Sequence, residues 1–218
     1  MVLPMTKIRT LEELQDKLDR ELVWRKREFA VIKSLVEANS TPERASYYIR
    51  SGIALIYAHW EGFIKAAGEA YLLYIATQRL TYAQLSINLV AVAARKILSE
   101  AGVSNKAALY TNVAHFFSHR LDERCKFPEG VITTKSNLDS EVLKEITHIL
   151  GIDYAAYAAK VEIIDKRLLA NRNSIAHGEY CQVDKKDFDE IHEEILNLME
   201  IFHDQVADAA INKTYKRV

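Results

Sequence analysis

The chain has 218 residues and a formal net charge of −1, so no global positive field marks it as a nucleic-acid binder, and any RNA contact must come from a local basic patch. Apolar residues make up 49% and charged residues 27%, enough for a large core under an ordinary polar surface. Seven Gly and three Pro are too few for the turns of a many-stranded β fold, which leaves long helices.

The N-terminus, Met1-Val-Leu-Pro-Met-Thr-Lys7, lacks a basic segment followed by an apolar run, so no signal peptide is expected. Thr10-Leu-Glu-Glu13 is a capping-box pattern that opens a first helix. Leu11, Leu14, Leu18 and Leu22, then Phe29, Ile32 and Val36, repeat at helical spacing along it. Ser40-Thr41-Pro42-Glu43 restarts the chain, and a long helix is predicted over 42–79. Its stripe is Ile53, Ile56, Trp60, Phe63, Ala67, Tyr71 and Tyr74. His59, Glu61, Lys65 and Glu69 interrupt it, and no apolar stretch reaches the roughly 20 residues that cross a bilayer. The expected address is the cytoplasm, with no membrane contact.

Thr81-Tyr-Ala-Gln84 caps a third predicted helix, which ends near Gly102 as an αL glycine. A fourth spans about Asn105 to Arg120. Residues 121–139 change character: Pro128-Glu129-Gly130 reads as a turn and Val131-Ile132-Thr133-Thr134 as extended chain, so an insertion loop or short hairpin is expected. Ser140 starts a short helix that Gly151 stops. Asp153 caps the next, which carries Val161, Ile164, Leu168 and Ile175 and closes at Gly178. Asp184 opens a last helix with Phe188, Ile191, Ile195, Leu198, Ile201 and Phe202. The fold class expected is all-α: a helical bundle over 41–218, with a helix from residues 1–40 packed on it.

The segment that could carry chemistry is Asn171-Arg172-Asn173-Ser174-Ile175-Ala176-His177-Gly178-Glu179. On an ideal helix Asn173 and His177 lie one turn apart on one face, with Arg172 about 100° away from Asn173. An imidazole titrates near neutrality and can take a proton from a ribose 2′-hydroxyl or return one to a leaving oxygen. A permanent guanidinium can steady a phosphorane charge, and Asn173 can orient either group. The plain alternative for His177 is a helix-end histidine paired with the last carbonyls.

Arg172-Asn-Ser-Ile-Ala-His-Gly-Glu179 resembles the Arg-Asn-x-x-x-His signature of the HEPN superfamily (higher eukaryotes and prokaryotes nucleotide-binding). Trp60-Glu61-Gly62-Phe63 resembles one large prokaryotic branch of it. So do Lys135-Ser-Asn-Leu-Asp-Ser-Glu-Val-Leu-Lys-Glu-Ile146 and Leu150-Gly-Ile-Asp153, and together the blocks span roughly 42–205. The resemblance implies a HEPN-like bundle that dimerises through its signature helices. It also implies a metal-independent ribonuclease, or an RNA-binding relative, of toxin–antitoxin or phage-defence systems. Arg172 and His177 are then catalytic and Asn173 supports them. An RNA substrate, a homodimer and an antitoxin or second operon-encoded partner are expected; a cofactor or metal is not.

The remaining candidates each have a plainer reading. Glu179 is either an accessory group or a solvated carboxylate after the helix. Glu61 either reaches the site or serves a surface or interhelical partner, as does His59. Tyr180 is a candidate base-stacking ring. His115 and His119 form an i,i+4 pair without an obvious completing ligand. Cys125 and Cys181 lie outside any CxxC pattern, so neither a zinc site nor a disulfide is expected.

Overall fold

The computed structural model describes residues 8–38, 41–103 and 106–217. Among these residues the fold is all-α, with no strand and only two isolated bridges, Thr81 with Arg124 and Leu85 with Lys216. Three long helices make the frame: α1 (Leu11–Ala38), α2 (Pro42–Thr77) and α8 (Lys185–Ile211). The predicted capping box opens α1. Thr10 Oγ1 accepts the Glu13 N–H at 3.1 Å, and Glu13 returns a carboxylate to the N–H groups of Arg9 and Thr10. The expected stripes are buried apart from Leu11 and Ile201, which are half-buried, and the Phe63 and Phe202 rings meet between α2 and α8.

Helices α1, α2 and α8 converge at Gly52. A Cβ there would stand 2.7 Å from Phe188 Cε2 and 2.8 Å from Ile32 Cγ2, so only a hydrogen fits. Nearby, His192 on α8 is buried and its Nε2 lies 2.9 Å from the Phe29 carbonyl of α1. Burial pushes its pKa below the ordinary 6.5, only partly opposed by that hydrogen bond. The unfolded chain therefore binds the extra proton. This contribution to stability is complete above about pH 6.5 and is lost as pH falls below it. The melting temperature is expected to fall from pH 7 to pH 5, and less steeply in His192→Gln.

Where the prediction placed one continuous third helix there are two pieces. The Thr81 capping box closes on Gln84 but holds only a 3₁₀ turn, Tyr82–Gln84. The chain then extends through Leu85, whose side chain is fully buried, and restarts as α3 (Ile87–Gly102). Burying Leu85 outweighs continuing the helix. Gly102 is the last helical residue and has no positive φ, unlike the αL cap expected. Helix α4 (Ala107–His119) packs on α3.

The 121–139 segment is a loop, with no hairpin. Val131, Ile132 and Leu138 are buried singly against the bundle instead of pairing as strands, and Ile132 covers Gly68 of α2. Lys135 and Ser136 both take positive φ, at 51° and 70°, which turns the chain sharply into α5 (Ser140–Leu150). Asp139 caps α5 by accepting the Val142 N–H at 2.7 Å.

After the short α6 (Ala155–Ala158), the signature segment begins as a π-helical stretch, Glu162–Leu169, that passes into α7 (Ala170–Ala176). The buried pairs Ile163-Ile164 and Leu168-Leu169 are five residues apart, the repeat of an i→i+5 ladder. Val161, predicted to be inward, is exposed as a result. Asp165 anchors the stretch by accepting the Ser140 N–H and hydroxyl at 2.7 and 2.5 Å. Arg167 pairs with Asp187 and Glu190 of α8.

Candidate active site at the end of the signature helix

Helix α7 closes in a Schellman turn. The Glu179 N–H reaches the Ser174 carbonyl at 2.9 Å and the Gly178 N–H reaches Ile175 at 3.1 Å. Gly178 supplies the required left-handed residue, at φ +75°. His177 is thus the C-cap, half out of the helix. Its ring is exposed and makes no hydrogen bond with a described residue, so the helix-end reading of a histidine tied to the last carbonyls does not hold.

Arg172 turns the other way, toward α2 and the 131–139 loop. Its Nη1 donates to Asn137 Oδ1 at 2.9 Å and to Asn173 Oδ1 at 2.7 Å. Its guanidinium lies over the Tyr57 ring, 4.3 Å from the centroid. All three partners are uncharged, so the cation is fixed in direction without being neutralised. The Asn173 side chain accepts from Arg172 and makes no hydrogen bond to the His177 ring; only its backbone carbonyl meets His177, accepting that residue's N–H at 3.0 Å.

Tyr57 and Asn137 are the residues that motif reading missed. Tyr57 is 1% exposed, and its hydroxyl accepts the buried Leu138 N–H at 2.6 Å. Burial chiefly, helped by the nearby Glu61 carboxylate, pushes its pKa up to about 12, so the ring stays neutral. The signal lay close at hand: Tyr57 stands one turn before Trp60-Glu61, and Asn137 lies inside the Lys135–Ile146 block. Tyr57→Phe should keep the platform but orphan the Leu138 N–H. A loss of about 1–3 kcal/mol is expected in denaturant melts; an unchanged midpoint would mean the bond contributes nothing.

Glu61 is half-buried and adjoins the site only through Tyr57. Glu179 offers its backbone carbonyl to Arg50 at 3.4 Å while its residue stays exposed. Tyr180 is 81% exposed. His59 is buried and has its interhelical partner, Glu28 of α1, at 2.8 Å. The His115 and His119 rings stack on each other at 5.0 Å, and among the described residues no group of three or more His, Cys, Asp or Glu side chains is placed to hold a metal. Cys125 and Cys181 are buried free thiols; Cys181 donates to Asn171 Oδ1 at 3.0 Å. Among the described residues, no helix is long and apolar enough to cross a membrane.

The sequence model of the HEPN_MAE_28990-like HEPN family matches residues 14–215, which takes in the N-terminal helix as well as the signature. Nothing among curated proteins or solved structures matches the chain. The matched stretch covers nearly the whole molecule, and its helical fold carries Arg172, Asn173 and His177 at the end of one helix; the chain belongs to the HEPN superfamily, a nucleotide- and RNA-related helical module.

Proposed function

We propose that the chain is a metal-independent endoribonuclease that cleaves RNA through the ribose 2′-hydroxyl. It would act as a toxin or phage-defence effector, held by an antitoxin or second operon-encoded protein. Arg172 carries the reading: a guanidinium fixed by neutral groups, five residues before a solvent-facing imidazole, is free to meet an anion. His177 takes the 2′-hydroxyl proton as that oxygen attacks phosphorus, and Arg172 faces the charge on the phosphorane. The 5′-oxygen leaves, and the 5′ fragment ends in a 2′,3′-cyclic phosphate.

The leaving oxygen needs a proton. A second copy paired through the signature helices would supply a second imidazole, so a homodimer belongs to this proposal. Glu179 and Tyr180 lie on the same exposed turn as His177, where a carboxylate and a stacking ring could assist.

The test is incubation of the purified protein with tRNA and mRNA in EDTA. Cleavage with cyclic phosphate ends is expected, with DNA and 2′-O-methyl RNA left intact. Loss of cleavage in EDTA that Mg²⁺ restores, or cleavage of DNA, would overturn the mechanism. A second reading, a non-catalytic nucleotide- or RNA-binding or partner-docking module, is favoured by one observation: within a single chain Arg172 turns to α2 while His177 faces solvent. RNA bound but never cleaved by the wild-type protein would establish it.

A further inference from the structure

Beside the Arg172 platform lies a groove of about 520 Å³, a size that suits a nucleotide. Its lining carries both signs of charge: Arg95 of α3 and Lys135 of the loop, beside Asn137, and the carboxylates Glu141 and Glu145 of α5 with Asp139, which is engaged in capping that helix. Val142, Ile146 and Ile149 also line it. Arg95, Lys135, Glu141 and Glu145 are exposed, and none makes a hydrogen bond or ion pair through its side chain with a described residue.

The groove is joined to the candidate site by a single residue. Asn137 lines it and also accepts from Arg172, which leaves the Asn137 amide N–H groups for another partner. Lys135 owes its place to the two left-handed residues of the loop, the same turn that sets Asn137.

We infer that this groove receives the nucleotide beside the scissile one, and that it selects a base carrying an exocyclic amine. This rests on the ribonuclease reading above. Two cations and two carboxylates that line one groove without partners among the described residues suit a ligand with an anionic end and an N–H₂ end. A nucleotide of adenine, cytosine or guanine has both: its phosphate meets Lys135 and Arg95, and its amine donates to Glu141 or Glu145. Uracil has no exocyclic amine and offers only its N3–H, flanked on both sides by carbonyl oxygens that the carboxylates repel.

The experiment uses fluorescein-labelled ten-nucleotide RNAs, oligo(A), oligo(C) and oligo(U), bound in EDTA by the full chain carrying His177→Ala. Lys135→Ala and Arg95→Ala, added singly, are expected to weaken oligo(A) binding about 3- to 10-fold at low salt and to reduce the salt slope by about one. In the cleaving protein the same changes raise KM more than they lower kcat. The joint change of Glu141→Gln and Glu145→Gln is expected to shrink the preference for oligo(A) and oligo(C) over oligo(U).

All four positions are exposed, so the melting temperature serves as a check on folding. If wild type cleaves RNA but the Lys135 and Arg95 variants bind like their parent, the groove assignment falls and the ribonuclease reading stands. If RNA binds through these residues and none is cleaved, the reverse holds. Equal affinity for oligo(A) and oligo(U) overturns the base preference.

Discussion

His177→Ala is expected to cut RNA cleavage by about 10³-fold while the protein melts as before, the usual scale for removing a proton-transferring side chain. The ring is exposed and has no hydrogen-bond partner among the described residues, so its truncation leaves no cavity and no orphaned donor there. Arg172→Ala should cost a comparable factor, about 10²–10³, in line with loss of a charge-stabilising donor. It should not be as silent structurally. Arg172 covers the Tyr57 ring and satisfies Asn137 and Asn173, so a modest drop in melting temperature is expected. Arg172→Lys separates charge from geometry. Nη1 alone holds both amide oxygens while the guanidinium carbon lies over the Tyr57 ring; an ammonium could meet the oxygens but not spread over the ring as well, so the variant should recover little activity. If His177→Ala keeps wild-type turnover, or if activity in either variant falls only in proportion to the unfolded fraction, these roles are wrong.

Gly52→Val should be among the most damaging single changes to stability, about 3 kcal/mol, since overpacking a tight contact costs 1–3 and sometimes more. A chain of this length then melts roughly 6–12 °C lower. The new Cβ meets Phe188 and Ile32 at once, and these come from two different helices, so moving one neighbour does not relieve the other. Any gain in helix propensity is smaller, because Gly is only about 1 kcal/mol worse than Ala in a helix and Val recovers part of that. Gly102→Ala is the control. Nothing lies within 4 Å of its added Cβ and its φ is not positive, so it should be neutral or stabilise by up to about 1 kcal/mol. Equal melting temperatures for wild type and Gly52→Val would show that the three helices can part at no cost.

Helix identity was readable wherever burial follows a 3.6-residue stripe, as in α1, α2 and α8, because each of these helices presents one face to the same core. Two places were not readable. Val131 and Ile132 have strand-like side chains, but a lone extended segment finds no partner strand here and is held by side-chain burial. Leu85 breaks a helix that local capping favours, since its burial is decided by residues distant in sequence. The site divides along the same line. The positions of Arg172, Asn173 and His177 follow from one continuous segment. Their directions do not: Tyr57 and Asn137 reach Arg172 from 115 and 35 residues away.

The π-helical stretch before α7 acts as a phase adjuster for the whole signature. A wide turn accommodates one residue more than an α turn, and Glu162–Leu169, which contains the anchor at Asp165, precedes the functional residues. Deleting one residue within the stretch would let it wind as ordinary α-helix with the register beyond it nearly kept, whereas deleting Ala170, outside the wide turns, could not be absorbed in this way. Everything beyond it would then rotate by about 100°, the angular step of one α-helical residue. Arg172 would swing off the Tyr57 ring and away from Asn137 without any change in its own neighbours along the chain. Arg172 would therefore keep or lose its platform according to whether a change in length falls inside the wide turns or beyond them, even with the signature intact.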